Sequence, residues 1–292
     1  MSGIRPMSFG EILDGSLTLY RRNFGVFLKL AIASLIVPVV LLGYFALFMG
    51  DRAMMAVMMI QMMTVDWVVA GMILLIVVTY IIGVLMLNAG TIRVISDSYL
   101  DRPSSFGQAI GLALSKTLPL FIVGVAKSLL LGLLAGITGI ILAVLGPMLA
   151  GSGGLGVGIL FLVGVFAVWF CIWVAAGYGV TTPVVVLESL GGPFEAFGRS
   201  WGLTKGSRGK VVGLFIVATL LFNAIPQFIL AFIGSSLMGS SPTAGEAIQL
   251  ASFVLPIILY PAISCVLTLM YYDLRVRREA FDLQMLSQQL GG

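Results

Sequence analysis

Six stretches of this chain, residues 25–48, 67–90, 117–145, 156–185, 211–237 and 247–272, are almost wholly apolar. A bilayer core of roughly 30 Å needs about 20 apolar residues in a helix, and each stretch exceeds that length. In hydrocarbon only a helix or a closed barrel satisfies its own backbone, and runs this long without alternation are helices. The sequence therefore specifies an all-α integral membrane protein with six transmembrane helices in a single polytopic domain spanning 1–292. With 60% hydrophobic and 10% charged residues, no segment between the stretches is polar and long enough for a soluble domain. The opening "MSGIRPMSFGEILDGSLTLYRRNF" lacks a short apolar core ending at a small-residue cleavage site, so no removable signal is expected.

The charges give the expected sidedness. Of 16 Lys and Arg residues, all but Arg52 and Lys127 lie near 5–29, 93–116, 199–210 and 275–278, the connections on one side of six spans. Basic residues beside membrane ends mark the cytoplasmic face, so both termini are expected there. Connections at 49–66, 146–155 and 238–246 then face the opposite side.

The chain also repeats itself. "RPMSFGEIL" begins at Arg5 and "RPSSFGQAI" at Arg102, and a degenerate copy, "GPFEAFGRSWGLTKGSRGK", precedes the fifth stretch. Phe9, Phe106 and Phe197 occupy one position in the three copies, at intervals of 97 and 91 residues. Ser8 with Glu11, and Ser105 with Gln108, have the spacing of a capping box, in which a cap hydroxyl and the side chain three residues on satisfy each other's amides. In the first copy Phe9, Ile12, Leu13, Leu17, Tyr20 and Phe24 recur at helical spacing. The expected unit is an amphipathic interfacial helix plus a two-helix hairpin, used in three parallel repeats at approximately 5–100, 101–190 and 191–283. Parallel repeats differ from the inverted repeats of many transporters.

With these residues in view, a resemblance can be stated. "RPMSFGEILDGSLTLYRRNFGVFL", "RSWGLTKGSRGKVVGLF" and "YYDLRVRREAFDL" resemble the polytopic family named after the membrane domain of glycerophosphoryl diester phosphodiesterase, from Pro6 to about Leu283. The resemblance implies a bacterial cell-membrane setting and this membrane fold. It carries over no catalytic residue, because in the members that have catalysis the catalytic residues belong to a separate soluble domain attached to the membrane part.

Histidine is absent, which excludes His triads, HExxH zinc sites and His proton relays. Cys171 and Cys265 lie in separate apolar stretches and read as small buried hydrophobes. The carboxylates Asp51, Asp66 and Glu246 are far apart in sequence. "GSGGLG" at 151–156 matches a dinucleotide motif literally but joins two membrane helices, so it reads as a hairpin connection. The stripe Met54, Met55, Met58, Met59, Met62 and Met63 suits membrane or partner packing better than a soft metal, since neither Cys nor His accompanies it. No catalytic residue, metal site, cofactor or nucleic-acid partner is expected.

The expected role is a non-enzymatic scaffold or accessory subunit of the bacterial inner membrane, binding anionic lipid of the cytoplasmic leaflet or a membrane-protein partner. Its candidate headgroup contacts are Arg21, Arg22, Lys29, Lys127, Arg199, Lys205, Arg208 and Lys210. Lys29 and Lys127 enter the apolar stretches and either snorkel to the headgroups, bind a phosphate or bond between helices. The C-terminal Arg275, Arg277 and Arg278, mixed with Asp273, Glu279 and Asp282, are expected to pair with the other cytoplasmic helices or to dock a partner. The alternative role is a transporter or channel for a small or lipidic solute. Its polar site would draw on Asn88, Asn223 and Gln227, near helices kinked by Pro226, Pro256 and Pro261.

Overall fold

A computed structural model describes residues 5–61, 67–103, 105–150, 153–237 and 242–279. The carboxylates Asp51, Asp66 and Glu246, the methionine stripe and Asp282 lie outside the residues whose side chains are described. Among the described residues the chain is helical and has no strand. Its elements are α1 (Phe9–Arg22), α2 (Phe24–Gln61), α3 (Trp67–Tyr99), α4 (Phe106–Ala150), α5 (Gly154–Gly177), α6 (Thr181–Leu187), α7 (Glu195–Thr204), α8 (Arg208–Thr219), a π-helical turn (Leu220–Ala224), α9 (Ile225–Leu237) and α10 (Pro242–Glu279). Six segments are long and apolar enough to cross a membrane: Phe24–Phe45, Trp67–Tyr99, Phe106–Leu149, Gly154–Leu187, Arg208–Leu237 and Leu250–Glu279. The protein is built as a multi-pass helical membrane protein.

α1 begins as its sequence specifies. The Ser8 hydroxyl accepts from the Glu11 amide at 3.3 Å, and the Glu11 carboxylate accepts from the Ser8 amide at 2.6 Å. That bond to the Ser8 amide, with the Arg5 guanidinium beside it, holds the Glu11 carboxyl down to about 2, against an ordinary 4.5. A carboxyl lowered on folding adds stability that is complete above its unfolded value and is lost as pH falls through the folded one. The start of α1 should therefore loosen between about pH 4.5 and 2. A spin label at Gly10→Cys in a Cys171→Ser background should gain mobility over that window, and Glu11→Gln should remove the step.

α1 ends at Asn23, a buried residue whose amide donates to Leu19 O and to Ser98 Oγ, both at 3.0 Å. Its carbonyl accepts the amides of Val26 and Phe27, so one residue closes α1 and opens α2. The second copy differs from expectation. Gln108 N does donate to Ser105 Oγ at 3.2 Å, but no separate interfacial helix follows, because α4 runs unbroken from Phe106 to Ala150. At the position of Asn23 this copy has Leu120, which offers no side-chain bond to close a helix; the Thr117 hydroxyl, three residues earlier, returns to Ala113 O at 2.7 Å and the helix continues. In the third copy α7 and α8 are separated by a turn at Gly206, whose φ of 79° lies in the left-handed region open to glycine.

Two further breaks fall inside the apolar stretches. The fourth stretch ends its long helix at Gly177 and restarts as α6, with Thr181 Oγ1 donating to Tyr178 O at 2.9 Å. The fifth widens into the π turn immediately before Pro226, where proline removes an amide from the ladder. Pro256 and Pro261 lie within the continuous α10.

Burial is uneven along these helices. Ile12, Phe27, Leu30, Ile92, Ile95, Val184, Leu203, Leu214, Leu269 and Tyr271 form one core. It sits at the end of the bundle where Met7 meets Asp273, here called the basal end. Away from it Leu129, Ile140, Phe161, Leu162 and Phe232 face outward. In water such surface would drive aggregation; against lipid tails, as apolar as leucine itself, it carries no such penalty. α2 and α3 approach closely enough that a Cβ on Gly83 would lie 2.3 Å from the Ser34 carbonyl oxygen.

Candidate functional site

The eight candidate headgroup cations have three different fates. Some are engaged inside the protein. Lys210 Nζ donates to Asp273 Oδ2 at 2.6 Å and to Met7 O at 2.7 Å. Asp273, fully buried on α10, also accepts from the Met7 amide at 2.8 Å and from Arg277 Nε at 3.0 Å. Arg199 bridges Glu188 and Glu279, and these hydrogen bonds, Glu279 first, push its guanidinium above its ordinary value. Tyr271 donates its hydroxyl to Glu188 Oε1 at 2.8 Å, and Arg275 pairs with Glu279 at 3.0 Å. The charged residues of α10 thus pair with α7, α8 and the chain before α1. Lys127 donates to Tyr178 O at 2.9 Å, at the carbonyl end of α5. Lys116 likewise reaches Val185 O at 2.9 Å.

Arg21, Arg22 and Lys29 have the second fate. They are exposed where α1 passes into α2, and they take no part in the ion pairs formed among the described residues. Arg22 borders a cavity of about 340 Å³ shared with Arg5, Glu11, Asp14 and Asp101, where acid and base offset one another.

Arg208 and Lys205 have the third fate. The Arg208 guanidinium carbon stands 3.7 Å from the ring centroids of both Trp173 and Trp201, two rings set perpendicular to each other. Lys205 is exposed on the turn after α7. Both cations line a basal cavity of about 690 Å³ with these two tryptophans. Trp201 is seated by close approach to Gly177, where a Cβ would lie 2.4 Å from the indole. Ser200 and Thr204 secure α7 to the same place by donating to Gly177 O at 2.9 and 3.2 Å.

The polar candidates within the apolar stretches are not gathered. Asn88 neighbours the Tyr260 hydroxyl, and Gln227 Nε2 donates to Ser252 O at 3.0 Å across α9 and α10. Asn223 is exposed on the π turn. Among the described residues these three do not converge on one site.

Sequence reasoning missed Trp173 and Trp201, the rings that hold Arg208, and Asp273 and Glu188 as the acids that engage Lys210 and Arg199. The available signal was rarity: Trp173 and Trp201 are two of only 4 tryptophans. No family model matches the chain, and no curated protein or solved structure matches it.

Proposed function

We propose that this protein is a non-enzymatic scaffold or accessory subunit of a bacterial inner membrane, of the membrane family its motifs resemble, and that it holds anionic lipid at its basal end. The observation that carries this reading is the exposure of Arg21, Arg22 and Lys29, outside the ion pairs formed among the described residues, at the foot of the first spanning segment. The distribution of basic residues supports placing that end at the cytoplasmic leaflet, with three repeated units entering from the same side. There a juxtamembrane cation gains about 1 kcal/mol from anionic lipid.

Neutralising both arginines in Arg21→Gln/Arg22→Gln should therefore remove about 2 kcal/mol, or about thirtyfold in preference for phosphatidylglycerol over phosphatidylcholine. Native mass spectrometry of the full chain, titrated with each lipid, measures it. An unchanged preference would reject the reading. Because both side chains are exposed, folding should not be affected.

A further inference from the structure

We infer that the cavity between α5, α7 and α8 is a binding pocket for the phosphate of an anionic phospholipid, with Arg208 as its principal ligand and one acyl chain lying along α5. This rests on the lipid-binding reading and deepens it to one site and one headgroup chemistry.

Arg208 carries unmet donors. Its Nε and Nη1 are buried and make no hydrogen bond. A guanidinium carries five N–H donors in a planar fork matched to phosphate, and leaving such donors unmet costs free energy that a ligand would recover. The two indoles fix the plane of the fork without using its donors, so Arg208 is oriented before anything binds.

The charged lining of the cavity is wholly basic. Its lining comprises Arg208, Lys205, the two tryptophans and glycines, with no carboxylate. The neighbouring basal cavity has three carboxylates against two arginines and offers an anion no such excess. The glycine lining matters too, because it lets a ligand approach the backbone of the α7–α8 turn. Gly206 holds a positive φ there, and a Cβ on it would come within 3.1 Å of Arg278.

An apolar track along α5 distinguishes a lipid from a free anion. Trp173 also belongs to a ladder of rings along α5, 6.5 Å from Trp169, which lies 5.7 Å from Phe166. Beside the ladder runs an apolar groove of about 560 Å³ between α4 and α5, lined by Leu142, Phe161, Val165, Val168, Trp169 and Ile172. From Phe161 to Trp173 the helix rises about 18 Å at 1.5 Å per residue. A cationic pocket at one end of a hydrocarbon track of that length fits an anionic amphiphile, and a free anion would use only the first half.

The test is made on the full chain, delipidated in detergent and titrated separately with phosphatidylglycerol, phosphatidylcholine and inorganic phosphate by native mass spectrometry. Arg208→Gln should weaken phosphatidylglycerol binding by about ten- to a hundredfold, the worth of a charge-assisted hydrogen bond or two. Arg208→Lys, which keeps the charge but loses the fork, should fall between. If Arg208→Gln fails to fold, Lys205→Gln still decides, since its side chain is exposed; it should weaken phosphatidylglycerol binding by about fivefold without altering stability. Unchanged phosphatidylglycerol binding in Lys205→Gln and in every Arg208 variant that folds overturns the assignment. So does inorganic phosphate binding as tightly as the lipid, or phosphatidylcholine matching phosphatidylglycerol. If Arg21→Gln/Arg22→Gln alone loses the preference, lipid binding stands and the pocket falls; if none of the variants loses it, both fall.

Discussion

Asp273→Ala should destabilise the protein by about 3 kcal/mol, the lower end of the range for breaking a buried ion pair by removing one partner. The carboxylate is fully buried, while the side chain of Lys210 is 19% exposed and that of Arg277 is 41% exposed. Losing the carboxylate leaves Lys210 with only the Met7 carbonyl and strips the Met7 amide of its acceptor. Arg277 can turn to water, which is why the upper end of the range is not expected. Thermal denaturation of the detergent-solubilised protein measures the effect. A paired change, Asp273→Leu with Lys210→Met, should recover part of the loss, because it removes the unpaired ammonium along with the carboxylate; recovery stays partial since the Met7 amide still lacks its acceptor. If Asp273→Ala melts with the wild type, the ion pair contributes nothing to the fold.

Gly83→Ala should rank beside it, at about 2–3 kcal/mol. A new methyl would stand 2.3 Å from the Ser34 carbonyl oxygen and 2.9 Å from Leu35 Cδ2. A leucine end can rotate away, but a carbonyl within a helix cannot, so α2 and α3 must separate. Small residues at such crossings let membrane helices pack backbone to backbone, where van der Waals contact is a principal attraction. Gly71→Ala on the same α3 is the control. Nothing lies within 4 Å of its added methyl, and alanine is the better helix former, so its melting temperature should hold or rise slightly. Equal behaviour of the two variants would refute the close approach.

The six spanning segments were legible because their signal is length and polarity, which tertiary context does not alter. Their ends were less so. The second apolar stretch reads as finishing at residue 90, yet α3 continues to Tyr99, carrying Arg93, Ser96 and Asp97. Those polar residues remain helical because partners supply their bonds: Arg93 pairs with Asp97 at 2.9 Å, and Ser96 meets the Tyr272 hydroxyl at 2.6 Å. Tyr272 lies 176 positions from Ser96 and leaves no local trace, whereas Arg93 and Asp97 are one helical turn apart. Asn23 was equally hidden, since its role as a joint depends on Ser98.

The candidate site was legible as a set of basic residues and illegible as a division among them. Lys205, Arg208 and Lys210 fall within six consecutive positions, and nothing local distinguishes them. What separates them is Asp273 beneath Lys210 and two indoles around Arg208. Of the clustered charges expected to pair with other helices or dock a partner, Asp273 and Glu279 reach Lys210 and Arg199 on α8 and α7, while Arg275 and Arg277 form ion pairs with acids one turn away on α10 itself.

The bond between Met7 and Asp273 spans 266 positions. α1 packs mainly on α10, with Gly15 against Leu269 and the Tyr20 hydroxyl donating to Ile258 O at 3.1 Å. During synthesis the chain therefore emerges with its first helix unseated, and that helix waits while every later hairpin enters the bilayer. Translation must deliver the last helix before the first can dock, so a ribosome stalled before residue 273 leaves a nascent chain that quality-control proteases can seize at its amino end.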